Sequence, residues 1–242
     1  MIKISASIVV YNENKETLTK AINSFNSINL EKELIIVDNS PVSNLKKFIE
    51  EFDNTKYIFN NKNIGFGAGH NLAFKNLQKK SDIHMIINPD VYFNGNDIKN
   101  MTIWMQKDKN ISLCVPQVLN ANRSVQNIVR NIPTISGLLK RKLHLGSGEL
   151  DIKNNTIANI PFAHGCFLIF KTTIFTKLNG FDERFFMYME DVDICMRAKQ
   201  FGKTVINSNF NIYHEYRKGS SKNIKLLIWH LTSAIKFFWI HK

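Results

Sequence analysis

Apolar and polar residues alternate in blocks along the first ninety positions. Ile4–Val10 and Glu33–Val37 are short runs rich in Ile and Val, the pattern of buried strands. Between them Leu18, Ile22 and Phe25 recur at helical spacing, which predicts a helix over Lys15–Ser27. Leu45–Phe52 predicts a second helix, Lys56–Phe59 a third strand, Gly67 to Leu77 a third helix and Ile83–Asn88 a fourth strand. Strands and helices alternating in this order build an α/β fold, a mostly parallel sheet with helices on both faces. Ligands bind such sheets in the loops at the carboxyl ends of the strands.

The second half is less regular. Ser112–Val118 predicts a strand, Asn120–Pro133 a turn-rich hairpin, and Lys140 to Asn155, polar and glycine-containing, a mobile loop. Phe162–Phe170 predicts one apolar strand, Thr172–Leu178 a short helix, Asp191–Phe201 a helix and Lys203–Asn207 a strand. Lys222–Ile240 closes the chain as a helix. No internal repeat is visible. The pattern is read as one domain over residues 1–221, in halves 1–93 and 94–221, followed by a C-terminal helix over 222–242.

Composition narrows the class. The chain has 242 residues, 44% hydrophobic and 21% charged, ordinary for a folded domain that buries its own core. Its 32 Lys and Arg against 20 Asp and Glu give a net charge of +12, which favours an anionic partner. After Glu215 there is no acidic residue, while Arg217, Lys218, Lys222, Lys225, Lys236 and Lys242 follow. The three cysteines are far apart and form no CxxC, so reduced thiols are expected rather than a disulfide framework or a thiolate zinc site. Neither a signal peptide nor a membrane-spanning helix is expected, since the apolar runs are short.

Candidate chemistry clusters in three places. Tyr11 and Asn12 end the first strand, Asp38 and Asn39 the second, Asn61, Asn63 and Gly65 the third, and Asn88, Pro89 and Asp90 the fourth. Asn, Asp and Gly also make turns, but in a parallel sheet these four ends converge on one edge. The glycines of Gly65-Phe66-Gly67-Ala68-Gly69 do not form GxGxxG and follow the third strand rather than the first. They read as a tight loop at a helix start, where backbone N–H groups can meet a phosphate. The second cluster is Glu190, Asp191 and Asp193 at a helix start, where acids are favoured. Asp193 reads as a cap. Phe185 to Tyr188 precede the cluster, and apolar surroundings move a carboxyl group toward the range of a general base. The third is His214, which ends the strand-like Asn211–Tyr213; a neutral imidazole there can join Asp90 on a metal.

Several ordered stretches carry a resemblance: Ile8 to Asn12, Ile35 to Ser40, Asn60 to Asn71, Ile87 to Asp90, Gly165 to Ile169, and Asn179 to Glu183 leading into FFMYMEDVDICMRA. In this order, over residues ~4 to ~217, the chain resembles the family 2 inverting glycosyltransferases of GT-A fold, in particular the rhamnosyltransferase-like branch of bacterial surface-polysaccharide synthesis. The resemblance implies that Tyr11, Asn12, Asp38, Asn63, Gly65 and Asn88 face the nucleotide sugar. It places Asp90 and His214 on Mg²⁺ or Mn²⁺ against the diphosphate. It makes Asp191 the base toward the acceptor hydroxyl, with Glu190 the runner-up. Asn88 departs from the family's Asp-x-Asp; a neutral oxygen binds a hard cation less strongly than a carboxylate. dTDP-rhamnose is the first donor expectation and UDP-hexoses the next. The expected acceptor is linked to a polyprenyl diphosphate, with the C-terminal helix on the anionic inner face of the cell membrane. A doubly wound oxidoreductase is the alternative, but no dinucleotide fingerprint follows the first strand. A basic nucleic-acid-binding module is another, but no nucleic-acid motif is present and no such partner is expected.

Overall fold

The computed structural model describes residues 2–142, 145, 148–215 and 224–241. The first half runs β1 (Lys3–Val10), α1 (Lys15–Asn26), β2 (Glu31–Asp38), α2 (Lys46–Ile49), β3 (Thr55–Phe59), α3 (Phe66–Lys75) and β4 (Ile83–Ile87). The four strands are parallel in the order β3-β2-β1-β4. Alternation along β1 sends Ile4, Ala6, Ile8 and Val10 into the main core with Leu18, Ala21, Ile22 and Phe25 of α1. On the opposite face Val9 packs with Ile35, Val37 and Ala73, under α3. Helices therefore cover both faces. Asn14 starts α1 by accepting the amide of Glu16 at 2.7 Å.

The predicted helix over Leu45–Phe52 shrinks to the single turn α2. Its N-cap, Leu45, offers no side-chain acceptor to the first amides, and uncapped short helices are unfavourable.

The second half continues with β5 (Val91–Phe93), α4 (Gly95–Lys107), β6 (Ile111–Leu119), β7 (Val129–Arg130), α5 (Ile135–Lys142), β8 (Ile157–Asn159), β9 (Phe162–Ala163), β10 (Phe167–Lys171), α6 (Thr172–Lys177), α7 (Glu190–Ala198), β11 (Lys203–His214) and α8 (Ile224–Ile240). The large sheet reads β3-β2-β1-β4-β10-β6-β11-β5, with β8 on β11, so one sheet runs through both halves. β10 inserts antiparallel between β4 and β6, while β6 and β11 are parallel.

Three elements differ from the sequence pattern. α4 was not anticipated, although Asn94 caps the amide of Asn96 and Ile98, Met101 and Met105 bury one face. The apolar run Phe162–Phe170 is two strands, because β9 pairs with β7 in a separate small sheet and β10 with β4 in the large one. His164, Gly165 and Cys166 cross between the sheets. The stretch Lys140 to Asn155 begins inside α5, and Glu149 bridges back to Arg130; residues 143, 144, 146 and 147 of that expected loop lie outside the described residues. The helix expected from Lys222 is described from Ile224.

A polar seam crosses the core. Ser7 Oγ lies 2.7 Å from His70 Nδ1 and 3.2 Å from His84 Nε2, and Ser5 Oγ lies 2.9 Å from His84 Nδ1. Both imidazoles are fully buried, and burial pushes His84 down to about 3 and His70 well below the usual histidine range, with the neighbouring His84 adding to the effect on His70. The unfolded chain takes up protons below pH ~6.5 that the native state refuses. Stability from this seam is therefore complete above that pH and declines as pH falls toward 3. The slope is about 1.4 kcal/mol per pH unit for each histidine. His84→Gln, which can still bond both serines, should show a shallower fall in urea midpoint between pH 6.5 and 5 than the wild type. Parallel curves would contradict this account.

Candidate active site

Three strand-end loops on one sheet edge hold one another in place. Asp38, at the end of β2, is fully buried; its Oδ1 accepts the Ser40 amide at 2.9 Å and its Oδ2 the Tyr57 hydroxyl at 2.7 Å. Burial pushes the Tyr57 phenol up to about 12, helped by that bond. Asn12, at the end of β1, takes a left-handed φ of 51° and donates its amide to Ser40 Oγ at 2.7 Å. Tyr11 beside it is half-exposed. Asn63 Oδ1 accepts the Gly65 amide, and Asn39 donates to the Gly65 carbonyl. Gly65 has φ +94°, and a Cβ there would stand 2.3 Å from the Phe186 carbonyl oxygen. That carbonyl also accepts the Phe66 amide at 3.0 Å, so the first turn of α3 is pinned to the segment before α7. The glycine loop is thus a docking joint as well as a helix start.

The fourth strand end opens a cavity of about 700 Å³. Asn88, Glu190, Asp191 and His214 line it, with Val9, Phe66, Gln126, Arg130, His164, Met187 and Tyr188 among the other walls. Asn88, Glu190, Asp191 and His214, all singled out in the sequence, thus share the cavity, and Asp90 lies behind His214. Tyr11, Asn12, Asp38, Asn63 and Gly65 do not line it; they form the adjoining loop group, joined to it by Val9 and Phe66.

Asp90 and His214 meet because β11 ends against β5, with His214 paired to Val91. His214 Nε2 lies 3.2 Å from Asp90 Oδ1, and its Nδ1 lies 3.0 Å from Gln126 Oε1. Asp90 Oδ1 is buried and accepts no hydrogen bond, although His214 Nε2 stands close by. Two ligands at ~2.1 Å in adjacent octahedral positions stand about 3 Å apart. The pair therefore fits a divalent cation bound through one carboxylate and one imidazole. Among the described residues no group of three or more His, Cys, Asp or Glu side chains could hold a metal. The remaining ligands must come from water or from an anionic substrate, the usual arrangement for Mg²⁺ at phosphates.

The start of α7 lines the same cavity. Tyr188 and Met189 both have left-handed backbone, φ 70° and 68°, a strained pair for non-glycine residues. α8 supports it: Ser233 Oγ donates to the Met187 carbonyl at 2.8 Å, and Trp229 and His230 pack on Phe186 and Tyr188. Glu190 and Asp191 follow at once. Burial, then the Asp191 charge, push the Glu190 carboxyl well above the usual range, and its Oε2 has no partner. Burial also acts to raise Asp191, but the His164 imidazole and the amides of Val192 and Gly165 outweigh it and hold Asp191 below the usual range. The two neighbouring acids are thus pushed in opposite directions, the kind of separation that acid–base sites use.

Asp193 is not a cap. It accepts Arg197 Nε at 2.8 Å and lies 2.9 Å from His241 Nε2, so it locks α7 to the end of α8. The sequence reading missed His164, whose Nδ1 lies 3.2 Å from Asp191 Oδ2. The reading of Phe162–Phe170 as one strand hid it; a polar His-Gly break inside an apolar run was the available signal. It also missed Gln126 and the Arg130–Glu149 ion pair at 2.7 Å, which only the fold brings to the cavity.

Comparison with known proteins agrees with this architecture. Agl10 of Haloferax volcanii, a low-salt glycan biosynthesis hexosyltransferase, is 28% identical over 198 residues, covering 80% of this chain and 61% of its own length. The chain thus spans about three fifths of that relative. The rhamnosyltransferase WbbL of Escherichia coli is 22% identical over 241 residues, covering 95% of this chain and 90% of its own. The N-acetylglucosaminyl-diphospho-decaprenol L-rhamnosyltransferase of Mycobacterium tuberculosis is 23% identical over 175 residues, 64% of this chain and 56% of its own. Among solved structures, GalNAc-T7 with UDP, GalNAc and Mn²⁺ superposes with a TM-score of 0.68 at 16% identity, over 92% of this chain and 45% of that one. Staphylococcus aureus TarS 1–349 with UDP-GlcNAc gives 0.64 at 19% identity, over 97% and 66%. These likenesses show the fold. Residues 5–178 match the family described as Glycosyl transferase family 2. That match spans well over half of the sequence, so the chain belongs to glycosyl transferase family 2 and has its GT-A fold.

Proposed function

We propose that the protein transfers a sugar from a nucleoside-diphosphate donor to an acceptor hydroxyl, with inversion at the anomeric carbon. The observation that carries this reading is a single cavity lined by His214, which stands 3.2 Å from Asp90, and by the adjacent acids Glu190 and Asp191. Asp90 and His214 would hold Mg²⁺ or Mn²⁺ at the diphosphate. The bound cation would offset the charge that grows on the leaving group. Tyr11, Asn12, Asp38, Asn63 and Gly65, on the adjoining loops, would shape the nucleoside pocket, and Asn88 the sugar end. Asp38 can reach a base only through lone pairs left by Ser40 and Tyr57. Asp191 drives removal of the acceptor proton from the far side of the sugar, and the apolar walls limit competing water. dTDP-rhamnose is the first donor choice and UDP-hexoses the next.

A polyprenyl-diphosphate-linked acceptor suits this reading, since the name of the M. tuberculosis relative specifies such a lipid. α8 supports a place on the inner, cytoplasmic face of the membrane. Ser233, Ala234 and Phe237 pack on the protein, while Leu227, Ile228, Leu231, Ile235 and Trp239 face outward. The helix carries Lys225 and Lys236 and no acid, the composition of an interfacial helix. No helix among the described residues is long and apolar enough to cross a membrane.

Two measurements check these statements. A thermal-shift screen of dTDP-rhamnose, UDP-hexoses and GDP-mannose should show stabilisation that needs Mg²⁺ or Mn²⁺ and is lost in Asp90→Asn. Asp191→Asn should keep that stabilisation but lose ~10²- to 10⁴-fold in transfer. Metal-independent binding, or full transfer by either variant, contradicts the assignment. In flotation with anionic liposomes, the protein should rise with the lipid at low salt and less at high salt, at ~1 kcal/mol per surface-proximal Lys or Arg. Leu231→Lys with Ile235→Lys should remain at the bottom. Equal flotation of that variant removes α8 from the membrane contact.

A further inference from the structure

We infer that Gln126 is a positioning residue for the cation pair: its side-chain carbonyl takes the Nδ1 proton of His214 and so keeps the Nε2 lone pair on the Asp90 side, where a divalent cation can use it. This deepens the proposed function and rests on its assignment of Asp90 and His214 to the cation.

The backbone brings the three side chains together from separate elements. β6 pairs with one edge of β11 as far as Tyr213↔Leu119, and β5 pairs with the other edge at His214↔Val91. After β6 the chain turns, with the Asn120 amide donating to the Ser124 carbonyl at 2.8 Å. It returns so that the Gln126 amide donates to the Val118 carbonyl, also at 2.8 Å. On the far side of β11 the Glu215 amide donates to the Asp90 carbonyl at 2.9 Å. His214 is therefore held between Gln126 and Asp90, with its side chain only 6% exposed. What these ties leave unset is the rotation of the imidazole and the nitrogen that carries its proton.

The side-chain contacts set both. His214 Nδ1 lies 3.0 Å from Gln126 Oε1. An amide oxygen accepts and does not donate, so Nδ1 is the donor and the neutral ring has its lone pair on Nε2. Nε2 stands 3.2 Å from Asp90 Oδ1, which is buried and accepts no hydrogen bond. Two electron-rich atoms this close repel each other, and a shared cation removes the repulsion. The other tautomer would give Asp90 an N–H to accept, and the pair would then satisfy itself and compete with the metal. Gln126 thus decides between a self-paired carboxylate and imidazole and a pair that needs a cation. Partners of this kind, on the far nitrogen of a metal-bound histidine, fix the tautomer and the ring orientation, and losing one costs roughly 10- to 100-fold in metal affinity or activity.

Gln126 stands on the cavity wall beside Asn127 and Ile128. Methionine at this position has similar length and packs on the same neighbours, but its thioether is a weak acceptor. Glutamate keeps an oxygen that accepts the Nδ1 proton. The two replacements separate the hydrogen bond from the packing.

The test uses the full chain. A long-range ¹H–¹⁵N correlation of the imidazoles at pH 8, without metal, reads the tautomer, and His214→Gln identifies the His214 signals. Wild type and Gln126→Glu should carry the proton on Nδ1, and Gln126→Met should shift toward Nε2–H. Electron paramagnetic resonance then reads Mn²⁺ uptake in the presence of UDP, dTDP or GDP. Gln126→Met should bind Mn²⁺ roughly 10- to 100-fold more weakly than wild type, and Gln126→Glu within about threefold of it. Affinity for the nucleotide without metal should be the same in all three, which a collapse of the wall would not allow. Circular dichroism and thermal melting confirm that the variants fold. A wild-type ring protonated on Nε2, a Gln126→Met variant with wild-type tautomer or wild-type Mn²⁺ affinity, or a Gln126→Glu variant as weak as Gln126→Met overturns this inference alone. If wild type takes up no Mn²⁺ with any of the three nucleotides, or Asp90→Asn takes it up as wild type does, the cation assignment in the proposed function falls with it.

Discussion

Two buried carboxyl groups on adjacent residues cannot both carry charge without a large desolvation and repulsion cost. Glu190 and Asp191 resolve this by unequal surroundings. Asp191 receives N–H donors from Val192 and Gly165 and has the His164 imidazole alongside, while Glu190 Oε2 receives nothing. These surroundings therefore favour charge on Asp191 over charge on Glu190. Much of the architecture around α7 serves that asymmetry. The break at His164–Gly165 brings an imidazole and a side-chain-free amide to the carboxylate. The strained turn at Tyr188 and Met189 aims the pair into the cavity, and α8 braces the turn through Ser233, Trp229 and His230.

The other wall depends on sheet topology. β4 delivers Asn88 to Asp90 from the parallel half, and β11 returns His214 beside β5 in the mixed half. β10, antiparallel between β4 and β6, joins the two halves into one sheet. A cation held by Asp90 and His214 would therefore bridge strands from both halves of the chain. With two such side chains at hand among the described residues, cation and diphosphate would bind best together, since each supplies what the other lacks.

The strand ends that carry the candidate residues were legible because β1, β2 and β4 are largely buried and read as apolar runs, with polar tips marking where each run stops. Helices with strong apolar spacing, such as α1, were equally clear. What the sequence hid was tertiary. Phe162–Phe170 has the composition of one strand, and only the competing demands of two sheets split it and expose His164. Asp193 looks like a helix-start acid until Arg197 and His241 close on it. Asp38 reads as an open strand tip, yet Tyr57, nineteen positions on, covers it in the fold. The outward stripe of α8 was visible as a helical period; which side faced the protein was decided by contacts to residues 184–188 that no local pattern encodes.

The central claim is a single in-line displacement across one cavity, cation and diphosphate on one side and base on the other. The anomeric configuration of the first-formed product, read by ¹H NMR before any mutarotation or secondary transfer, tests it most directly. The account predicts a glycosidic bond of configuration opposite to that of the nucleotide sugar. A product that retains the donor configuration would require a different chemistry from the one these residues are arranged to perform.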